Sequence, residues 1–331
     1  MKKVSSSPKV SVVIPMRNSS STIIETLEGL KKQEYPVEEI IVVDNVSSDN
    51  SIELVKNYVK KNPSMHIKLL QNKTNIMIAR SQDRGVSVAK SPYIVFTHSD
   101  CRFVSKNVIS KLIKPIIKDA SIVATYGGTE NPLEVWKKYP FWEKILLSKD
   151  AGKLQIPGLL GKVDCIQKKA FLSIGGHDTK GFDNYGCEDA DLHLRLKKIG
   201  KIVATTASAE HLDYTDENFS LSKLFWKTKF IGEGYGRFLR VNGLKYGFAP
   251  INYMFIKPTL AIGSFIPMIN VIIIPLLLIS PFVYYKNVFM DSVSQRDPRI
   301  IILPLIGIVL IYYQTVWMII TFLKPIERII K

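Results

Sequence analysis

The stretch that decides the fold is Ile94-Val95-Phe96-Thr97-His98-Ser99-Asp100-Cys101. Its first four residues are apolar or favour β-structure, and they follow Pro92, so they predict a short buried strand. The strand runs directly into a polar tip, where His98 and Asp100 stand two residues apart. In an open α/β sheet, ligands bind beyond the carboxyl ends of the strands. We therefore expect a binding site at this tip.

Asp100 has two interpretations at this position. Side chains two residues apart on an extended segment point the same way, so Asp100 and His98 could hold one divalent cation, which prefers oxygen ligands. Alternatively, Asp100 caps the helix that the sequence predicts over 104–119. The motifs in the rest of the chain favour the cation site.

Strands and helices alternate on the N-terminal side of this tip. Apolar runs predict strands at 10–15, 40–43 and 66–70, and polar caps begin the helices between them. Continuous apolar strands in an alternating order are typical of a parallel sheet covered on both faces. The sequence has no GxGxxG after the first strand and no GxxxxGK[ST], which argues against dinucleotide and P-loop chemistry. The N-terminal half is thus predicted to be a Rossmann-like α/β domain.

Two long uncharged segments lie near the C-terminus, at 258–285 and 300–323. Each exceeds the roughly 20 residues that cross the hydrocarbon core of a bilayer, so we predict two membrane spans. Pro267, Pro275 and Pro281 in the first segment predict that this span is kinked or tilted. The alternative is a pair of buried helices in a soluble fold. Basic regions flank the two segments, which predicts a cell-membrane protein with its N-terminal part in the cytoplasm.

The composition narrows the class of partner. Lys and Arg total 45 against 29 Asp and Glu, a net charge of +16, which suits a membrane surface or a nucleotide phosphate. No zinc-finger or RNA-binding signature accompanies this charge, so we expect no nucleic-acid partner. Residues 219–257 are basic and aromatic, which predicts an amphipathic helix in the membrane interface, or alternatively a solvated helix. Three widely separated cysteines indicate a reducing compartment.

Four blocks of sequence resemble the family 2 glycosyltransferases, whose nucleotide-binding fold is called GT-A. They are Val10-Ser-Val-Val-Ile-Pro15, Ile41-Val-Val-Asp-Asn-Val-Ser-Ser-Asp49, Phe96-Thr-His-Ser-Asp-Cys101, and Gly175-Gly-His-Asp178 followed by Cys187-Glu-Asp-Ala-Asp191. The blocks occur in the family's order, and the resemblance covers about 9–240. It implies an α/β, Rossmann-like GT-A nucleotide-sugar-binding domain at 1–218. The basic amphipathic segment at 219–257 and two C-terminal transmembrane helices at 258–285 and 300–323 would follow.

The resemblance also implies an activity and a set of site residues. The chain would be an inverting, divalent-metal-dependent glycosyltransferase. It would move a sugar from a UDP- or GDP-linked donor to a membrane lipid, or a lipid-linked or other glycan, at the cytoplasmic membrane face. Asp189 would be the catalytic base, supported by Glu188, and Mn²⁺ or Mg²⁺ would be held by Asp100, His211 and His98. Donor binding would fall to Pro15, Arg17, Asp44, Asn45, Arg80, Ser99 and Asp100. Acceptor binding would fall to Gly175, Gly176, Asp191 and Arg237.

One position departs from the family pattern. His98 stands where the family has the first acid of its DxD motif, an acid that in relatives often faces the ribose. The change opens a second interpretation, a degenerate GT-A-like module, tethered to the membrane, that binds a nucleotide sugar without turnover. His211 likewise could be an ordinary surface or core histidine. Because Asp100, Glu188 and Asp189 are all retained, we expect the enzyme.

Overall fold

The structure is a computed structural model that describes residues 8–148, 151–152, 154–155, 158–182, 185–212, 218–243 and 252–325. Its strands are β1 (Val10–Met16), β2 (Val37–Asp44), β3 (Ile67–Gln71), β4 (Tyr93–Phe96), β5 (Cys101–Phe103), β6 (Ile122–Glu130), β7 (Leu154–Gln155), β8 (Asp164–Gln167) and β9 (Lys201–His211). Its α-helices are α1 (Ile23–Lys31), α2 (Ser51–Lys61), α3 (Met77–Val88), α4 (Val108–Lys118), α5 (Leu133–Trp136), α6 (Phe141–Leu146), α7 (Lys168–Ser173), α8 (Glu188–Lys197), α9 (Leu221–Asn242), α10 (Asn252–Gly263), α11 (Asn270–Tyr284), α12 (Lys286–Gln295) and α13 (Leu303–Leu323). Short 3₁₀ helices occupy Pro63–Met65 and Pro298–Ile302.

The strands form one mixed sheet in the order β3-β2-β1-β4-β8-β6-β9-β5, with β7 beside β6. The pairs β1–β2, β1–β4 and β2–β3 are parallel, whereas β8 runs antiparallel to both β4 and β6. Alternate residues of β1 enter different apolar clusters: Val12 and Ile14 pack in the cluster that contains residues of α1 and α4, and Val13 in the one that contains Val86 of α3. The predicted α/β class and coverage of both sheet faces are confirmed.

The register brings the predicted strand tips to one edge of the sheet. Met16 pairs with Asp44, and Val13 with Phe96, so β1, β2 and β4 all end at the same side. This edge is where open α/β sheets bind ligands. The polar residues that follow β2 and β4 therefore lie at neighbouring strand ends.

Asp100 does not cap a helix. The residues after it form the three-residue strand β5, which pairs antiparallel with β9 and places Cys101 opposite His211. Helix α4 begins only at Val108, so the prediction of a helix from residue 104 was wrong by about one turn. Pairing with β9 satisfies the backbone groups of the three residues that follow Asp100.

The chain divides into two compact units. The first consists of 1–130, 154–179 and 188–214 and holds the sheet, and the second consists of 131–153, 180–187 and 215–331. In the second unit, Trp136, Phe141 and Ile145 pack in one apolar cluster with Tyr285, Val288, Leu303 and Leu310. Residues 131–153 and 180–187 thus group with the C-terminal helices, although they precede 218 in the chain.

The first predicted span is not one helix. Helix α10 ends at Gly263 and α11 begins at Asn270, because the link contains Pro267 and holds Met268 in the left-handed region at φ 69°. Within the described residues, one helix, Pro298–Leu323, is long and apolar enough to cross a membrane. A second span exists if α11 and α12, which meet at a 60° bend, count together. Two spans are therefore not confirmed.

Helix α9 packs closely on α13 through its glycines. A methyl group at Gly232 would lie 2.5 Å from the carbonyl oxygen of Gln314, and one at Gly236 would lie 2.1 Å from that of Met318. Small residues four apart allow two helix backbones to approach in this way. One face of α9, the helix within the basic segment 219–257, is thus packed against α13.

We expect Gly236→Ala to destabilise the helical unit by about 1–3 kcal/mol, because the new methyl group would meet backbone that cannot rotate away. Arg240→Ala, on the exposed face of the same helix, should leave its stability nearly unchanged. Limited proteolysis of the full chain measures the effect, since loosened pairing exposes α13 to cleavage. Equal resistance of the two variants would contradict this packing.

Candidate active site

Asp44 is the last residue of β2, and only one of its two carboxylate oxygens accepts hydrogen bonds within the described residues. Its Oδ2 accepts hydrogen bonds from the backbone N–H groups of Val46 (3.1 Å) and Ser47 (3.2 Å). Its Oδ1 is buried and has no hydrogen-bond partner within the described part of the chain. A buried unpaired acceptor is costly, so a fixed oxygen of this kind suits a ligand N–H.

The other residues expected to bind the donor have different surroundings. Asn45 accepts from the backbone N–H of Ile76 at 2.9 Å and donates to Asn75 Oδ1 at 2.6 Å. The hydroxyls of Ser99 and Ser19 are 2.7 Å apart. Asn45 and Ser99 thus brace the strand ends, while Pro15 is buried within β1, Arg17 is exposed, and Arg80 donates to the carbonyl of Thr179 at 3.1 Å.

A carboxylate and an imidazole meet beyond β4. Asp100 Oδ2 lies 3.6 Å from Nε2 of His211, and the possible ligand atoms of Asp100, Cys101 and His211 all lie within 4.8 Å of one another. The backbone fixes this geometry, because Cys101 pairs with His211 and the N–H of Leu212 donates to the Asp100 carbonyl at 2.6 Å. His98, the third expected ligand, is not a member of this cluster.

The pKa values favour Asp100 over Cys101 as a ligand. Burial raises the pKa of the Cys101 thiol well above its usual range, and the charge of Asp100 raises it further, so the thiol stays protonated. Burial also opposes ionisation of Asp100, but electrostatic interactions with His211, Lys162 and His98 and a hydrogen bond from Cys101 outweigh it and lower the pKa of Asp100 to about 2. Burial lowers the pKa of His98 to about 4, which keeps this ring neutral. An ionised carboxylate beside an imidazole is a donor set that fits Mn²⁺.

Lys162 is the residue that sequence reasoning missed. Its Nζ lies 2.9 Å from Nε2 of His211, and its charge affects the pKa values of both Asp100 and Asp189. The lysine lies in the loop before β8 and carries no motif of its own. Its place in the site follows from the packing of β8 against β4 and β6, which the sequence did not reveal.

Glu188 and Asp189 lie in the first turn of α8, as expected, and both titrate abnormally. Burial, and then the charge of Asp189, raises the pKa of Glu188 to about 7. Burial also raises the pKa of Asp189, against the opposing charges of His177 and Lys162. Two carboxyl groups that share a desolvated site and both have raised pKa values can accept a proton more readily than exposed carboxylates.

The Gly175-Gly176 loop is held from α8. Both glycines have positive φ, 78° and 71°, which other residues rarely adopt. Asp191 is buried, and its Oδ2 accepts from Arg195 Nε at 2.7 Å, while Arg195 donates through Nη1 to the Gly176 carbonyl at 2.7 Å. Asp191, expected to bind the acceptor, therefore orients the arginine that supports this loop.

Arg237 lies in the second unit and is also engaged within it. Its Nε donates to the carbonyl of Gly181, and its guanidinium stacks over the Tyr185 ring, 5.1 Å from the centroid. The side chain is 6% exposed. Its contacts among the described residues are thus with a neighbouring loop of the same unit.

Known proteins carry the same N-terminal domain. Residues 11–167 match the family described as glycosyl transferase family 2. Glycosyltransferase GlyG of Streptococcus pneumoniae is 35% identical over 115 residues, 34% of this chain and 37% of the relative. The putative glycosyltransferase EpsE of Bacillus subtilis is 36% identical over 97 residues, 29% of this chain and 34% of the relative.

Residues 11–167 therefore form a glycosyl transferase family 2 domain. The predicted family and enzyme class are thus confirmed for the glycosyltransferase domain, and the matches span about a third of the length of these two relatives.

Solved structures share the fold of this chain. The mannosyltransferase PcManGT from Pyrobaculum calidifontis, in complex with GDP-Man and Mn²⁺, has a TM-score of 0.59 at 13% identity and covers 96% of this chain and 88% of its own. GalNAc-T7 with UDP, GalNAc and Mn²⁺ has a TM-score of 0.51 at 18% identity and covers 75% and 53%. At these identities the likeness establishes the mixed α/β, GT-A-like fold.

Proposed function

We propose that this glycosyltransferase transfers a sugar, with inversion, from a UDP- or GDP-linked donor to a lipid-linked or glycan acceptor at the cytoplasmic face of the membrane. The observation that carries the proposal is the approach of Asp100 Oδ2 to His211 Nε2 at the strand ends, 3.6 Å apart. The two solved relatives named above were bound to GDP-Man and to UDP, each with Mn²⁺, which supports a nucleotide-sugar donor and a divalent metal.

The donor nucleotide is recognised at Asp44. Its idle, buried Oδ1 would accept the N–H of a pyrimidine or purine base, while the backbone N–H groups of Val46 and Ser47 hold Oδ2 in place. Because the Asp44 carboxylate is already fixed before the nucleotide binds, it loses little conformational freedom when it accepts a hydrogen bond from the nucleobase. Both uracil and guanine present such an N–H, so both remain candidate bases.

The diphosphate leaves from the Asp100 end of the site. Mn²⁺ or Mg²⁺ held by Asp100 and His211 would offset the charge that develops on the leaving diphosphate. Lys162, whose Nζ lies 2.9 Å from the His211 ring nitrogen, would yield that nitrogen to the metal, and its ammonium would then offset part of the diphosphate charge. Asp100 stays ionised because His211, Lys162 and His98 together lower its pKa.

The acceptor is activated at the Glu188–Asp189 end. Asp189 takes the proton from the acceptor hydroxyl while attack occurs on the face of the sugar opposite the diphosphate. Glu188 shares the desolvated site, and burial raises the pKa values of both carboxyl groups toward the working pH. Inversion requires a carboxylate that binds the metal, here Asp100, and a carboxylate that accepts the proton, here Asp189.

Apolar surface in the second unit supports a membrane location. Val271, Ile272 and Val283 of α11 are 73%, 67% and 69% exposed, and Pro298–Leu323 is long enough to span. We propose two spans, with α11–α12 as the second, and the basic segment 219–257 at the cytoplasmic interface. We propose 1–218 as the GT-A domain. An enzyme held at the bilayer in this way has direct access to a lipid-linked acceptor.

A donor screen tests this proposal. The full chain is incubated with UDP- and GDP-sugars, Mn²⁺ and a membrane lipid extract, and released nucleotide is measured. We expect release with one donor that rises on adding lipid extract and stops with EDTA. Tight nucleotide binding without any release would instead support the module without turnover.

The pH dependence of kcat/KM tests whether Glu188 and Asp189 share one site. Because Asp189 must be deprotonated and titrates together with Glu188, whose pKa is raised to about 7, we expect kcat/KM to rise with pH and to level off above about pH 7. Below that value it should fall about tenfold per pH unit. Glu188→Gln removes the neighbouring carboxyl charge and should move the fall to lower pH. Identical profiles for the two proteins would contradict a coupled pair.

A further inference from the structure

One ring nitrogen at the strand ends faces both a cation and a carboxylate of the chain. The Nζ of Lys162 lies 2.9 Å from Nε2 of His211, and Asp100 Oδ2 lies 3.6 Å from the same nitrogen. An ammonium group can donate hydrogen bonds but cannot accept them, so a donor at 2.9 Å gives Nε2 the role of acceptor. The lone pair of Nε2 is therefore directed at Lys162.

A metal ion held by Asp100 and His211 would need the same lone pair. A neutral imidazole has one nitrogen that can accept, and that nitrogen is the one that binds a metal. Asp100 approaches the ring on its Nε2 side, so a cation shared by the two residues would be bound through Nε2. One lone pair cannot serve an ammonium and a metal ion together. An ammonium this close to the site also repels a divalent cation.

The loop that carries Lys162 is held in place by its own backbone. Asp164 is 2% exposed, and its Oδ2 accepts hydrogen bonds from the N–H groups of Leu160 at 2.9 Å and Gly161 at 2.5 Å. Gly161 has a φ of 68°, and a methyl group there would lie 2.5 Å from Nε2 of Gln82. Because this loop is fixed, the ammonium of Lys162 changes position by rotation about its flexible side-chain bonds.

We propose that Lys162 blocks the metal-binding nitrogen of His211 until the diphosphate of a bound nucleotide draws its ammonium away. The proposal deepens the proposed function and rests on it, since it adds to the same site a control over when His211 can bind the metal. Without a nucleotide, Nε2 of His211 is engaged by Lys162. When a diphosphate enters, its negative charge competes for the ammonium, and Nε2 becomes able to bind a cation beside Asp100.

The blocked nitrogen makes nucleotide binding and metal binding reinforce each other. A diphosphate that moves Lys162 raises the affinity of the site for a metal, and by linkage a bound metal raises the affinity for the diphosphate by the same factor. Direct contact between diphosphate and metal would add coupling of its own. The share that belongs to Lys162 is the part that is lost when its ammonium is removed.

A purely structural lysine would act differently. If Lys162 only held His211 in place, its removal would loosen the ring and weaken the binding of both metal and nucleotide. A blocking lysine has effects of opposite sign on the two ligands. Its removal frees Nε2 for the metal and takes a counter-charge from the diphosphate.

Lys162→Met removes the ammonium and keeps an unbranched side chain. The full chain in detergent is titrated with Mn²⁺ alone, and binding is followed by electron paramagnetic resonance. We expect the affinity to be at least about tenfold higher than in wild type, since a cation beside the site is gone. Titration with UDP and GDP in EDTA should show weaker binding of whichever nucleotide wild type binds. Lys169→Met, an exposed lysine beyond the other end of β8, is the matched control and should resemble wild type in both titrations.

Electron spin echo modulation shows whether a histidine nitrogen is bound directly to Mn²⁺. In wild type we expect this nitrogen signal only after UDP or GDP has been added. In Lys162→Met it should be present with and without nucleotide. His211→Ala should lack the signal throughout. In that background Lys162→Met should raise Mn²⁺ affinity much less, because no ring nitrogen is left to release.

A histidine signal in nucleotide-free wild type would overturn the proposal. So would a Lys162→Met variant whose Mn²⁺ affinity does not exceed that of wild type, because Lys162 would then only hold His211 in place. These outcomes are distinct from failure of the proposed function, since no measurement requires turnover. A module that binds a nucleotide sugar without transfer could keep the blocked nitrogen, and an active transferase could lack it.

Discussion

Asp189→Asn is expected to lower the turnover of sugar transfer by at least about a hundredfold, the scale of losing a positioned general base. Affinity for the donor should change little, because Asp189 acts on the acceptor hydroxyl. The fold should survive, since the Asn carbonyl oxygen can still accept from the N–H of Ala190, as Asp189 Oδ1 does at 2.7 Å. Asn cannot take up the proton at any working pH.

Single-turnover release of nucleotide measures the chemical step, and titration with UDP or GDP measures donor affinity. Asp119→Asn makes the same chemical change at a half-exposed site and should retain turnover. If donor affinity collapses in Asp189→Asn while turnover survives, Asp189 belongs to the donor site and the roles proposed above are wrong.

Asp100→Asn should abolish stimulation by Mn²⁺ and lower transfer by at least about a hundredfold. The variant keeps its shape but loses the negative charge that sits 3.6 Å from His211 and close to Lys162. Loss of a direct ligand should exceed the 10–100-fold loss of metal affinity that is typical of outer-shell partners. Electron paramagnetic resonance of Mn²⁺ reports binding without any need for turnover.

Cys101→Ser is the matched control, one residue along the same strand tip. Because the thiol is held protonated, we expect this variant to bind Mn²⁺ about as wild type does. Undiminished Mn²⁺ dependence in Asp100→Asn would remove Asp100 from the metal site. A large loss in Cys101→Ser would show that the sulfur is a ligand after all.

Local sequence patterns were enough to predict the first four strands of the sheet, β1 to β4. Residues 12–14 of β1, 40–43 of β2 and 94–96 of β4 are apolar without interruption, since both faces of these strands are covered, and polar residues follow the runs of β2 and β4 directly. Strand β5 was missed because three residues carry no periodic pattern. It exists because β9 offers it a partner, which is a long-range effect.

The limited information in local sequence patterns also explains two other differences between the predictions and the structure. The apolar run at 258–285 predicts one helix, but the left-handed Met268 after Pro267 separates α10 from α11. Lys162 enters the site through the pairing of β8 with β4 and β6. Asp100 and His211, in contrast, were anticipated as a pair because the family order of motifs carries long-range information.

The apolar cluster of the second unit has a consequence for synthesis of the chain. Trp136, Phe141 and Ile145 pack with Leu303 and Leu310, which are made about 160 residues later. At a translation rate of about 5–20 residues per second, these three residues are synthesised roughly 8–30 s before their packing partners. During that interval they need a chaperone or the membrane surface to shield them. Ribosomes paused near residue 250 should therefore carry a nascent chain that chaperones bind strongly.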